Sequence, residues 1–149
     1  MMLTGLALLA TMMLQTPPSA APQQTSQKLK IVVLNGKTGK PIQNSRLLIF
    51  QGETSDEVKQ HARDSTDLFT NDKGIAILPI QSTISDVQVW VDFMTQCEKS
   101  PNAATLNIPA ALEHGVISEN SCGSIKVSAE PGKIVVFARK PTLRERMAW

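Results

Sequence analysis

Tyrosine is absent from the 149-residue chain, and cysteine and histidine occur only twice each, which excludes several kinds of site. A zinc centre needs three or four ligands at workable spacing, and these four residues do not provide it. Neither cysteine has the neighbouring base motif of a thiol nucleophile. Nucleophile-elbow, P-loop and dinucleotide-binding motifs are absent as well. We therefore predict no metal, no cofactor and no enzymatic activity.

The chain also has little net charge and no long apolar run. The chain has fifteen Lys and Arg residues and thirteen Asp and Glu residues, and its formal charge of +2 is too small to indicate nucleic-acid binding. The longest apolar stretch, Met1–Leu14, is shorter than the roughly 20 residues that a membrane helix needs. We therefore expect no nucleic-acid partner and no stable membrane insertion once the amino-terminal segment is removed.

The amino-terminal segment is typical of an export signal. Met1–Leu14 has the length of a signal-peptide core, and Ser19-Ala20-Ala21 supplies the small residues that signal peptidase accepts. Its start carries no Lys or Arg, which leaves a weak signal or a misassigned start codon as alternatives. We predict a signal peptide over residues 1–21, a flexible leader over 22–27, and a secreted, periplasmic or extracellular location.

Alternating apolar residues and dense turn signals from residue 28 onwards predict a β-rich domain. The predicted strands are Lys28–Leu34, Arg46–Phe50, Ile75–Leu78, Val87–Phe93, Ile125–Ala129 and Lys133–Arg139. Residues 51–67 are expected to form a long loop with one helical turn. With six or seven short strands and no alternation of strands with helices, the pattern favours an antiparallel all-β sandwich over 28–140.

Two short helical segments are predicted in addition to the strands. Asn107 can cap a helix that Gly115 ends, with a proline in its first turn. Thr142-Leu143-Arg144-Glu145 has the spacing of a capping box, which indicates a helical turn in the short carboxy-terminal tail, 141–149.

The strand Val87–Phe93 carries the candidate binding surface. Its alternation places the three valines and Phe93 on one face, and Gln88, Trp90 and Asp92 on the other. An exposed indole at Trp90 can stack on a sugar or anchor a protein partner. Alternatively, the segment between the cysteines or the carboxy-terminal tail covers this tryptophan.

Cys97 and Cys122 are predicted to form a disulfide, because export places them in an oxidising compartment. The bridge would close a loop of about 26 residues and stabilise the fold by about 3–4 kcal/mol. Two free, buried thiols are the alternative.

Two stretches of the chain resemble the carboxypeptidase regulatory-like domain family, also described as prealbumin-like or Cna-B-like. Val32–Leu47 has a strand, a TGKPI turn and a second strand, and Phe69–Leu78 is similar to the family's T-x-D-x-G hairpin. The carboxy-terminal half, from Cys97 to Pro141, is similar to small secreted bacterial proteins that carry this domain and have no assigned activity.

The resemblance implies a seven-stranded antiparallel Greek-key sandwich, and the residue pattern places one short helix in the excursion between Cys97 and Cys122. It also implies an accessory, adhesive or sugar-contacting role without catalytic residues. We therefore predict a secreted, non-enzymatic binding module for a carbohydrate or protein partner. The alternatives are a structural cell-envelope protein that assembles through strand edges, and a small hydrolase that uses acidic residues of loop 51–67.

Overall fold

A computed structural model describes residues 26–61, 63–100 and 103–147. The predicted signal peptide, 1–21, and most of the predicted leader, 22–27, lie outside the described residues. The described chain forms two β-sheets that pack on a shared aliphatic core, which confirms the all-β, sandwich-like class.

Nine strands and three short helices are present in the described ranges. The strands are β1 Gln27–Asn35, β2 Arg46–Gly52, β3 Thr66–Phe69, β4 Ile75–Ile80, β5 Asp86–Val91, β6 Thr95–Gln96, β7 Leu106–Asn107, β8 Val116–Ile117 and β9 Lys133–Arg139. The helices are α1 Ser55–Lys59, α2 Ile108–Glu113 and α3 Leu143–Arg146. Four strands predicted from the sequence correspond to β1, β2, β4 and β9.

The strands are arranged in one mixed and one antiparallel sheet. Sheet A has the order β4-β1-β9-β6, with β8 also paired to β9, and sheet B has the order β3-β2-β5-β7. In sheet A, β9 runs parallel to both β1 and β8. The expectation of a wholly antiparallel sandwich is therefore wrong at these two pairs. The 118–132 connection supplies the dozen or more residues that a crossover between parallel strands needs.

The sandwich core comes from the inward-facing residues of both sheets, as the period of two predicts. Sheet A contributes Leu29, Ile31, Val33, Leu78, Ile134 and Val136, and sheet B contributes Leu47, Ile49, Val87, Val89 and Val91. Each fully buried side chain of this kind contributes about 1.5–3 kcal/mol relative to its exposed state. Valine, isoleucine and leucine therefore account for most of the core, consistent with the scarcity of aromatic residues.

The segment Ile125–Ala129 is not a strand, contrary to the prediction from its alternation. It lies on the outer face of sheet A, where Ile125 and Val127 pack against a buried cluster that includes Val135 and Phe137. Ile125 and Val127 are thus partly buried because their segment crosses the face of the sheet, and not because it pairs with a strand at the edge. The sequence pattern is the same in both arrangements.

The predicted strand Val87–Phe93 is shorter in the structure, because β5 ends at Val91. The backbone turns at residues 92–94, where Phe93 has a φ of 56° and the Met94 amide donates to the Val91 carbonyl. This left-handed conformation breaks the alternation. Phe93 is consequently 90% exposed instead of sharing the buried face of the valines.

The predicted disulfide and helix ends are present. Cys97 is bonded to Cys122, and α2 lies in the excursion between them. The Asn107 side chain accepts from the Ala110 amide, and Gly115 has the positive φ of a helix-ending residue. A complete capping box starts α3. The expected loop 51–67 contains α1, and β3 begins inside it.

Candidate functional site

A groove of about 840 Å³ lies at the end of β5 on the outer side of sheet B. Two aromatic side chains, Trp90 and Phe93, line it together with aliphatic and charged residues. The remaining lining residues are Leu48, Val91, Asp92, Met94, Thr95, Lys140, Pro141 and Arg146. Three separate parts of the chain therefore form the groove: Leu48 of β2, the end of β5 with the following turn, and the tail that leaves β9.

Only two of the three residues of the predicted binding surface line the groove. Trp90 and Asp92 line the groove, and the indole is half-buried. Gln88 lies on the same face of β5, but it is only 4% exposed because residues 103–105 cover it. Its amide nitrogen donates to the Ala103 carbonyl at 2.8 Å. Gln88 therefore has a supporting position beneath the surface rather than a place on it.

Gln88 also anchors the aromatic side chains next to the groove. Its Oε1 accepts a hydrogen bond from the Trp90 indole nitrogen at 3.4 Å, and His61 Nε2 lies 3.2 Å from the same oxygen. An amide oxygen has two lone pairs, so it can accept from both rings. The His61 ring stacks on Phe50 with centroids 4.0 Å apart and meets Trp90 edge to face at 6.2 Å. These contacts hold the indole in one orientation.

Sequence analysis did not identify Phe50 and His61 as parts of this cluster. Phe50 belongs to β2, which pairs with β5 so that Phe50 lies opposite Gln88. His61 follows α1 and returns over the outer face of sheet B with a φ of 48°. Alternation in β2 places Phe50 on the outer face, so the position of Phe50 could be predicted from the sequence. The position of His61 could not, because it depends on how the α1 segment packs over sheet B.

The charge of Asp92 is partly compensated by a neighbouring strand. Arg46 of β2 lies 3.5 Å from the Asp92 carboxylate and 2.7 Å from that of Asp67 in β3. Hydrogen bonding and charge attraction from Asp67, with a smaller contribution from Asp92, raise the pKa of the Arg46 guanidinium. This three-residue ion-pair network joins β2 and β3 to the turn that follows β5, beside the groove.

A second, basic hollow of about 510 Å³ adjoins the groove. Its cationic lining residues are Lys37, Lys40, Arg139 and Lys140, and its other lining residues are Asn35, Thr38, Pro41, Ile42, Gln43, Met94 and Thr142. Met94 and Lys140 line both hollows, so the two hollows are adjacent. No carboxylate lines the basic hollow among the described residues.

The tail between the two hollows is held by an ion pair. The two terminal guanidinium nitrogens of Arg139 donate to the Glu145 carboxylate, at 2.6 and 2.8 Å. Arg139, followed by hydrogen bonds from Thr142, lowers the pKa of Glu145 to about 2. Because Arg139 ends β9 and Glu145 belongs to α3, the pair fixes the intervening tail, in which Lys140 lines both hollows and Pro141 lines the groove.

Three acidic residues of loop 51–67 form ion pairs with arginines. Arg63 pairs with Glu53 at 3.1 Å and with Glu57 at 3.6 Å, and Asp67 pairs with Arg46. Burial raises the pKa of Glu98, but this carboxyl lies elsewhere in the fold and accepts a hydrogen bond from the Ala104 amide. Neither the groove nor the basic hollow contains two carboxylates among the described residues.

The protein is therefore a disulfide-linked β-sandwich, and the groove and the basic hollow on its surface form a site large enough for a ligand. No family model matches the chain, and no curated protein or solved structure is significantly similar to it. Within the described ranges, no cluster of three or more His, Cys, Asp or Glu side chains is placed to hold a metal ion. No helix in this part of the chain has the length and apolar character needed to cross a membrane.

Proposed function

We propose that the protein is an exported, non-enzymatic binding module that holds a carbohydrate chain in the groove beside Trp90. The observation that carries this proposal is the position of the indole, which is fixed by Gln88 and His61 and borders an open groove. A pyranose ring has a flat face of C–H groups, and a fixed aromatic ring is a suitable platform for it. Preorganisation lowers the entropic cost of binding.

The aromatic and polar lining of the groove also supports a sugar ligand. Phe93, held exposed by its left-handed backbone, supplies a second aromatic ring. Asp92 and Thr95 offer hydrogen-bonding groups to hydroxyls between and beside the rings. Apolar walls with a few placed polar groups are the usual composition of a small-molecule or glycan site.

Export and family are parts of the same proposal. The Cys97–Cys122 disulfide fits an oxidising compartment, because cytosolic thiols are kept reduced. We infer that the two sheets are a variant of the seven-stranded Greek-key sandwich of the carboxypeptidase regulatory-like family. The turn after β1 supports this inference, since Asn35 accepts from the Lys37 and Thr38 amides and orders the TGKPI-like segment.

Alanine substitution at Trp90 tests the proposed function. On a glycan array, the mature domain should retain a defined group of oligosaccharides, and Trp90→Ala should weaken their binding at least about 30-fold, as for a central aromatic anchor. Phe69→Ala is the matched control, because Phe69 is an exposed aromatic residue on β3 that lines neither hollow.

Three results would contradict the proposal. Absence of any retained glycan would remove the carbohydrate assignment. A protein partner captured by the mature domain and lost in Trp90→Ala would show that the groove serves a protein instead. Turnover of a bound oligosaccharide would show that the domain is an enzyme.

A further inference from the structure

We infer that the ligand is an acidic polysaccharide, whose carboxylate or sulfate groups occupy the basic hollow while a sugar ring lies on Trp90. This inference rests on the proposed carbohydrate function and specifies the chemistry of the chain. It follows from the continuity of the two hollows, the distribution of their charges, and the rigidity of the turn that carries two of the lysines.

Because the groove and the basic hollow adjoin each other, the site is an elongated surface rather than a single pocket. Lys140 and Met94 line both the groove and the basic hollow, so the two hollows meet at these residues. The combined surface runs from Trp90 at the end of β5 to Lys37 in the turn after β1. A polymer of several sugar units can follow such a surface, whereas a monosaccharide would occupy one hollow only.

The charges along this path are predominantly positive. Lys37, Lys40 and Lys140 are exposed, and within the described chain none of them has an ion pair. Arg146 adds a cation to the groove. The two acids nearby already have partners, since Glu145 binds Arg139 and Asp92 lies near Arg46. The available charge therefore favours an anionic ligand.

Two of the three lysines that line the basic hollow, Lys37 and Lys40, stand on an ordered turn. The Asn35 side chain accepts from the Lys37 and Thr38 amides at 3.0 and 3.1 Å, and the Asn35 amide donates to the Lys40 carbonyl at 2.8 Å. Gly36 packs beneath the disulfide, where a Cβ atom would lie 2.6 Å from Cys97 Sγ. The backbone that carries Lys37 and Lys40 is thus tied to the most constrained part of sheet A.

The charge of the glycan can be tested with matched pairs of probes. Trp90 and Trp149 are the only tryptophans, so Trp149→Phe makes the fluorescence of Trp90 a direct reporter. In this background, oligogalacturonate is compared with its methyl ester, and dextran sulfate with dextran. We expect at least one anionic probe to bind about tenfold or more tightly than its neutral counterpart, and added salt to reduce the difference.

Substitution of lysines tests which residues bind the anionic groups of the ligand. Lys37→Gln/Lys40→Gln should weaken binding of the anionic probe about three- to thirtyfold and leave binding of the neutral probe unchanged. The control is Lys28→Gln/Lys59→Gln, which removes the same charge from exposed positions that line neither hollow. Trp90→Ala removes the fluorescence reporter, so its binding is measured by isothermal titration calorimetry, and the substitution should weaken both kinds of probe.

The outcomes distinguish this inference from the proposed function. Equal binding of charged and neutral probes, or an anionic ligand insensitive to Lys37→Gln/Lys40→Gln, would overturn the inference and leave the carbohydrate function intact. Failure of all four probes, together with an empty glycan array, would overturn both. If poly-glutamate binds as tightly as the best anionic glycan with the same lysine dependence, the ligand is an acidic polypeptide and the inference is wrong.

Discussion

Gln88 lies on the outer face of β5, but residues 103–105 cover its side chain and it joins three parts of the chain. It binds the Ala103 carbonyl, accepts from the Trp90 indole and contacts His61. The alternation of β5 places Gln88 and Trp90 correctly on one face, but it does not show that a segment fifteen residues later covers the first of them. Burial of that kind depends on contacts distant in sequence.

Replacing Gln88 with alanine should destabilise the fold and release the indole. The substitution leaves the buried Ala103 carbonyl without its donor and Trp90 Nε1 without its acceptor, which costs about 1–3 kcal/mol. Urea denaturation of Gln88→Ala measures the loss of unfolding free energy, and a red shift of Trp90 emission in Trp149→Phe reports greater solvent exposure. Gln60→Ala is the control, because Gln60 is exposed. Unchanged stability and emission would contradict the supporting role of Gln88.

At the scale of elements, helices α2 and α3 show how far local sequence determines structure. Asn107 caps α2, and the Thr142–Glu145 capping box starts α3, both as predicted. Capping depends on residues three positions apart, so it can be predicted from the sequence. The pairing of Glu145 with Arg139 additionally requires that β9 and α3 meet at an angle that only the folded chain defines.

Acidification should release α3 from β9. Arg139 holds the pKa of Glu145 at about 2, below its ordinary value of 4.5, so the released carboxyl binds a proton more readily than the anchored one. The anchoring is therefore complete above about pH 4.5 and is lost progressively as the pH falls towards 2. NMR signals of residues 143–146 should lose their helical shifts across this range.

Glu145→Gln provides the control for the pH experiment. It removes the carboxylate, so its α3 signals should be largely insensitive to pH between 2 and 4.5. Equal pH dependence in this variant and in the original chain would show that another group controls the release of α3.

At the scale of the whole molecule, the disulfide and the crossover to β9 determine how sheet A is covered. Residues 118–131 lie across its outer face, and Asn120 donates to the Gly36 carbonyl at 2.9 Å beside the bridge. At one edge of the same sheet, strand β4 contains Pro79, which limits pairing of this edge with another chain.

Removing the disulfide should lower the stability of the whole domain. Cys97 and Cys122 are separated by 25 positions, and the chain-entropy relation gives about 3–4 kcal/mol for such a loop. The double variant Cys97→Ala/Cys122→Ala should show this loss in urea denaturation. Amide exchange should also accelerate in 118–130, where backbone hydrogen bonds are few. A loss below about 1 kcal/mol would show that packing alone holds the segment.

Interactions between residues close in the chain account for the features that could be predicted: the all-β class, most long strands, the helix caps, and the outward side of Trp90. The pairing of Cys97 with Cys122 followed from their number and the expected compartment. Tertiary structure decided the parallel pairing of β9 with β1, the irregular path of Ile125–Ala129, the exposure of Phe93 and the burial of Gln88. These features depend on which distant segments meet, and alternation of apolar residues is the same whichever partner buries them.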